Sequence, residues 1–414
     1  MPLILPFAGL RPMAARARDV IAPPYDVMSR AEAREMIAGR PWSFLHISRP
    51  EASLPESVHP YAPEVYQKAA ENLAEMRRQG VLIQDPSPCF YVYRLTMDGH
   101  IQTGIVAIAS VAAYDQGRIK KHEHTRPKKE DDRVRQIEAL NAQTGPVFLV
   151  YKSDGDVDRV LADVANGPSA VDVLGGDGVR HQLWVIDDEP LIGRLTGSFD
   201  GMPALYVADG HHRSAAASRV AASRNETSHP AAGPAESPHN YFLAVLFPHD
   251  QVRILDYNRV VRDLNGLGSE GFLDEVVRRF SVSISSEPFK PAAPGEFGMY
   301  LSGQWYRLQF DLERLRQCDP VGRLDVSILT RELLEPVLGI GDQRSDERID
   351  FVGGIRGLRA LEQRVESGEM AVAFSLFPTG MEALMAVADA GSMMPPKSTW
   401  FEPKLADGLV SHLL

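Results

Sequence analysis

Asp209, Gly210, His211, His212 and Arg213 stand in a row, between the apolar run 204–208 and the alanine-rich stretch 214–222. A short strand that feeds a helix through Asp-Gly turns the start of that helix towards a ligand. The first N–H groups of a helix lack intrahelical partners and carry the positive end of its dipole, which suits a phosphate. Gly210 lets the backbone approach such a ligand closely. Arg213 can hold two phosphate oxygens with its planar fork, and His211 and His212 can donate hydrogen bonds or carry a proton near neutral pH. Cations at this end of a helix oppose the dipole unless anions offset them. Asp209 supplies one anion and a bound phosphate would supply more.

Four further blocks could contribute. In HEHTRPKKEDDR, residues 122–133, His122 and His124 alternate on an extended chain and so share a face, which admits a metal although no third ligand follows from the spacing. The cations Arg126, Lys128, Lys129 and Arg133 could cover a polyphosphate. The acids Glu130, Asp131 and Asp132 could hold magnesium, which takes one or two carboxylates plus phosphate oxygens. In IAPPYDV, residues 21–27, two prolines stiffen a loop that ends in Asp26, a candidate general base. In PPKSTWFEPKL, residues 395–405, Lys397, Ser398, Thr399 and Lys404 could close a phosphate site, while the missing glycine-rich loop excludes a P-loop. His46 and Arg49, in HISRPE, are weaker candidates for the same pocket.

These residues need elements to hold them. Ser29 reads as an N-cap for a helix to Ile37, and Val65, Ala69, Leu73 and Met76 mark one face of a helix over 63–79 that stops at Gly80. Asp98-Gly99 joins two alternating segments as a hairpin, and Ser302-Gly303 turns a second one. Residues 147–151, 181–187, 241–247 and 370–376 read as strands, and 129–141 and 268–279 as helices. Residues 224–239 read as a mobile linker. Hairpins mixed with helices predict an α+β fold rather than a doubly wound parallel sheet. The division is expected at 225/226, with the Asp-Gly-His-His-Arg segment in 1–225 and a second α+β part in 226–414 whose Lys397–Thr399 tail returns towards the site.

The bulk numbers narrow the class. With 44 Lys and Arg against 55 Asp and Glu, the net charge is −11, which counts against nucleic acid as the main partner. Two cysteines, Cys89 and Cys318, exclude a disulfide framework and a cysteine-built zinc site, and point to a reducing, cytoplasmic setting. No apolar run approaches the roughly 18 residues a membrane helix needs, so no membrane partner is expected.

Together PFAGLRP, VIAPPYDV, HEHTRPKKEDDR, YVADGHHRSAAA and PPKSTWFEPKL resemble, in order and spacing, the bacterial and archaeal family of unknown function numbered 1015, over roughly residues 3–409. The Asp-Gly-His-His-Arg segment also resembles the helix-opening signature of the ParB/sulfiredoxin superfamily, one branch of which phosphorylates free serine. The resemblance implies a ParB/sulfiredoxin-like core with a mixed sheet, a nucleotide or phosphate pocket at 209–213, and kinase activity on a small hydroxyl compound such as serine. Sulfiredoxin chemistry needs a cysteine where this chain has His211, so a reductase is excluded.

The resulting expectation is a phosphotransferase. ATP, ADP or pyrophosphate would be the donor, with Mg2+ held by Asp209 or Asp131. Gly210, His122, His124, Arg126, Lys128, Arg133, Lys397, Ser398 and Thr399 would bind the donor. Asp209, His211, His212 and Arg213 would serve the transfer, and Asp26 or Glu123 would take the acceptor's proton. The alternatives are a nucleotide-binding regulatory protein without catalysis, and a metal-dependent hydrolase built on His122, His124, His211 and His212. A homo-oligomer stays open.

Overall fold

A computed structural model describes residues 2–227 and 237–414. Helices and mixed sheets make it α+β, in two compact units. The first comprises 1–121, 125–252 and 403–414, and the second 122–124 and 253–402. Of the linker expected at 224–239, residues 228–236 lie outside the described residues.

The first unit is built on a nine-stranded sheet. From one edge its order is Ile119–Lys120, Leu205–Asp209, Val147–Tyr151, Tyr241–Pro248, His100–Ser110, Phe90–Met97, Arg180–Ile186 and Val171–Leu174, with Ile4–Leu5 added beside His100–Ser110. Two pairings are parallel, Leu205–Asp209 on Ile119–Lys120 and Tyr241–Pro248 on Val147–Tyr151, and the others are antiparallel. The central strands are buried on both faces: every residue of Val147–Tyr151 and of Tyr241–Pro248 is inside. Tyr241–Pro248 follows the division expected at 225/226, yet its partners are strands of this sheet.

Local signals act as the sequence predicts. Ser29 Oγ accepts from the Glu32 N–H while Glu32 returns to the Ser29 N–H, a capping box that starts the Arg30–Ile37 helix. Val65, Ala69, Leu73 and Met76 are the buried face of Pro63–Arg78. Asp98 and Gly99, at φ 50° and 80°, make the primed turn that suits strand twist.

The last segment, 403–414, threads back into this unit. Leu10 and Ser411 exchange main-chain hydrogen bonds, and His412–Leu413 pairs with Ala142–Gln143.

The second unit is a six-stranded antiparallel sheet ordered Ser281–Ser285, Gln304–Gln309, Glu296–Leu301, Val372–Leu376, Tyr257–Val261 and Ile349–Gly353, with a further pair Arg253–Leu255 and Trp400–Glu402. Arg259 is buried there and donates to the carbonyls of Lys397 and Pro396 at 2.9 and 3.1 Å, which shapes the Pro-Pro-Lys turn. No helix among the described residues is long and apolar enough to cross a membrane.

Candidate functional site

The strand Leu205–Asp209 ends in an irregularity. Its register against Val147–Tyr151 slips between Val207 and Asp209, a bulge that re-aims the Asp209 side chain at the strand's end. Gly210 follows at φ 98°, a conformation that L side chains rarely adopt. A Cβ there would stand 3.3 Å from the Val147 Cα and 3.6 Å from the Arg213 Cζ, so glycine also makes room. The helix His211–Thr227 then begins.

Asp209 is half-buried. Its Oδ1 accepts from the Gly210 N–H at 2.8 Å, and Lys404 Nζ lies 3.4 Å from Oδ2. Burial opposes a charge on Asp209, but Lys404, Arg213 and His211 outweigh it and hold its carboxyl well below the usual carboxylate range.

Arg213 is buried and makes three kinds of contact. Nη1 donates to the Pro146 carbonyl, Nη2 meets Asp26 Oδ2 at 3.3 Å, and its Cζ lies 5.8 Å from the Tyr25 ring centre. Burial opposes its charge, yet Asp26 and Asp209 keep it protonated. Arg133 approaches the same ring, with Cζ 4.0 Å from its centre, and holds Asp132 in a fork through Nε at 3.0 Å and Nη2 at 2.6 Å. Tyr66 completes Asp132 with a 2.9 Å hydrogen bond. Burial pushes the Tyr25 hydroxyl up to about 12, with Arg133 acting against it. The loop that carries Tyr25 and Asp26 is pinned by Arg49, which donates to the carbonyls of Tyr25 and Met28 at 2.7 Å each.

His212 accepts the Arg126 N–H at Nε2, at 3.0 Å, which leaves its ring proton on Nδ1. Burial lowers its pKa, with Glu130 acting in the opposite direction. His211 is buried.

A pocket open to solvent lies within this unit and is lined among others by Tyr25, Ser48, Arg133, Gly145, Arg213 and Asp407. Asp407 is 2% exposed. Its main chain pairs with Ala22, so the tail and the Tyr25–Asp26 loop are fixed to each other. Burial pushes the Asp407 carboxyl up to about 7, although Arg213 and Arg133 favour its charge.

The family described as "Protein of unknown function (DUF1015)" matches residues 4–327. This chain belongs to that family. No curated protein matches it. Among solved structures it is similar to a free serine kinase in complex with AMP, at 14% identity over 72% of this chain and 86% of that one, with a TM-score of 0.34. It is similar to a conserved hypothetical protein from Pyrococcus furiosus at 13% identity over 73% and 93% of the two chains, TM-score 0.35. SbnI with C-terminal truncation from Staphylococcus aureus matches at 11% identity over 73% and 85%, TM-score 0.39.

In this DUF1015 chain, the first unit brings together Asp26, Arg126, Arg133, Asp209, Gly210, His211, His212, Arg213 and Lys404. Lys128 is exposed, with its ammonium 5.2 Å from the Tyr61 ring centre. Of the two expected magnesium ligands, Asp131 is ion-paired with Arg219 at 2.8 Å and Asp209 with Lys404 at 3.4 Å, so each already has a cation beside it. His122, Glu123, His124, Lys397, Ser398 and Thr399 fall in the second unit. His122 is buried and His124 exposed, so the alternation expected to give them one face does not. There Ser398 Oγ donates to the Pro395 carbonyl at 2.7 Å, and Lys397 stands over the Tyr257 ring. Asp407 and Ser48 escaped the sequence reading: Asp407 lies two residues beyond the 395–405 block, and Ser48, inside HISRPE, stands between the more conspicuous His46 and Arg49. The weaker candidate Arg49 holds the loop that carries Asp26. His46 instead contacts Ser53 Oγ at 2.9 Å and the Arg40 carbonyl at 3.1 Å.

Proposed function

We propose that this chain is a phosphotransferase with a ParB/sulfiredoxin-like core, moving a phosphoryl group from ATP, ADP or pyrophosphate to the hydroxyl of a small molecule. Free serine is the acceptor that the superfamily resemblance suggests. The observation that carries this reading is the Asp209-Gly210 junction. A bulged strand and a glycine at φ 98° deliver a long helix whose start lies beside a buried arginine and an open carboxylate.

In this reading the donor's phosphates lie on the N–H groups at the start of the His211–Thr227 helix. The His212 Nδ1–H adds a donor. Arg213 keeps Asp26 in place rather than clamping phosphate with its whole fork. Asp26 accepts the acceptor's hydroxyl proton. The new oxygen–phosphorus bond forms as the donor's bridging bond breaks, and the leaving phosphate or nucleotide keeps the electron pair. Asp209 would hold magnesium, which supplies charge neutralisation on the donor. Phosphoryl transfer is largely positioning and electrostatics, so these groups are sufficient in kind.

The test is phosphorus NMR of the protein with magnesium, each of the three donors, and a panel of small hydroxyl compounds that includes serine. A new phosphomonoester signal supports the reading and names both substrates. Donor binding without any phosphomonoester replaces it with the nucleotide-binding regulatory reading.

A further inference from the structure

Three buried polar atoms on the wall of the pocket lined by Arg213 and Asp407 are not used by the transfer scheme. Asp407 Oδ2, Ser48 Oγ and Arg213 Nε have no hydrogen-bond partner among the described residues. Asp407 is 2% exposed, Ser48 5% and Arg213 9%. Ser48 favours the Asp407 charge in the manner of a hydrogen-bond donor, but the pair falls outside ordinary hydrogen-bond geometry, so both groups keep capacity for a better partner. Arg213 and Asp407 converge on Gly145, where a Cβ would stand 3.4 Å from Arg213 Cδ, 3.6 Å from Asp407 Oδ1 and 3.9 Å from Arg213 Nε. Glycine at 145 therefore leaves open the space between a cationic donor and an acidic acceptor.

Buried groups of this kind are costly unless something satisfies them. An inorganic anion would match Arg213 but oppose Asp407. A simple cation would match Asp407 but oppose Arg213 and Arg133. A molecule with both signs a few ångströms apart matches both. The same pocket has an apolar side, from Ile137, Val147, Phe242 and Leu243, against which the body of a small molecule would rest.

We infer that this pocket seats a small zwitterionic α-amino acid, with its ammonium group on Asp407 and Ser48 and its carboxylate on the Arg213 Nε–H. The inference rests on the phosphotransferase reading for the purpose of the pocket, which would then be the acceptor's recognition site. The binding itself needs no phosphate donor.

The experiment is calorimetric titration of the full chain, without any nucleotide, using L-serine, L-alanine, ethanolamine and 3-hydroxypropionate. Serine and alanine are expected to bind. Ethanolamine, which lacks the carboxylate, and 3-hydroxypropionate, which lacks the ammonium group, should bind at least ~10-fold more weakly, as expected when a buried partner goes unpaired. Asp407→Asn should weaken serine by a similar factor. Gly145→Val should abolish binding with an unchanged circular dichroism spectrum, and it decides the matter if Asp407→Asn does not fold. Equal binding of the one-charge analogues, undiminished serine binding in folded Asp407→Asn or Gly145→Val, or no amino acid binding to the wild type would each overturn the inference. A chain that binds serine but phosphorylates nothing would keep this inference and lose the transferase reading.

Discussion

Ala22 and Asp407 exchange main-chain hydrogen bonds in both directions, at 3.1 and 2.9 Å. Through this bridge the stiff Pro23-Pro24 loop and the returning tail share one backbone frame. Asp26 and Asp407 thus reach Arg213 from opposite ends of the sequence.

Arg213 is expected to matter for stability before it matters for rate. Its removal leaves Asp209 and Asp407 undercompensated, at about 3 kcal/mol, the low end for a broken buried pair because Asp26 is open to water. Urea titration of Arg213→Ala and Arg213→Lys checks this. The lysine should recover only part of the loss, since it cannot reach Pro146 and Asp26 with a fork.

Gly210→Ala should destabilise the first unit by roughly 1 kcal/mol or more, because alanine at positive φ is strained and the added Cβ meets the Val147 backbone. Thermal denaturation reads the effect. An unchanged midpoint would show that the junction relaxes freely.

Asp26→Asn is expected to fold, because Asp209 and Asp407 still face the Arg213 charge. If Asp26 is the base, transfer should fall by about 10²–10⁴-fold. Asp131→Ala should leave both the rate and the magnesium requirement unchanged and cost about 0–1 kcal/mol, as a surface ion pair does. Phosphomonoester formation at varied magnesium distinguishes the two positions.

The pH dependence of stability has a definite sign. Asp407 has a folded pKa raised to about 7 from 3.8, so the folded chain holds the proton more tightly than the unfolded one. Its contribution is full below pH ~4 and is lost as pH rises towards 7, at up to about 1.4 kcal/mol per pH unit. Asp325, in the second unit, is pushed by burial to about 7 and acts in the same window. Asp209 works oppositely, with stability present above its unfolded pKa and lost in acid. Between pH 4.5 and 7, Asp407→Asn should flatten the decline measured by chemical denaturation, and adding Asp325→Asn should flatten it further.

Local chemistry was legible in the sequence wherever a short rule governs it. The Ser29 cap, Asp98-Gly99, Gly80 and the strand–glycine–helix order at 205–214 all depend on neighbours within a few positions, and the structure has each of them. The charge run 126–133 was only half legible. Lys128 and Arg133 look alike in sequence, but the helical period turns Lys128 to solvent and Arg133 onto Tyr25 and Asp132. Arg213 looked like a phosphate clamp because its carboxylate partner Asp26 is 187 positions away. Asp407 carried no signal at all, since a single acid in Leu-Ala-Asp-Gly-Leu gains its meaning only when the tail packs onto the sheet.

The order in which the chain is made gives the returning tail a temporal role. Asp209 and Lys404 are 195 positions apart, and all of 253–402 is made before the tail. At about 5–20 residues per second, a ribosome needs roughly 10–40 s to supply the partner. Until then Asp209 lacks its lysine and Arg213 faces Asp26 without Asp407. Any first unit that forms before 403–414 arrives does so without Lys404 beside Asp209 and without Asp407 beside Arg213, and the tail supplies both partners together.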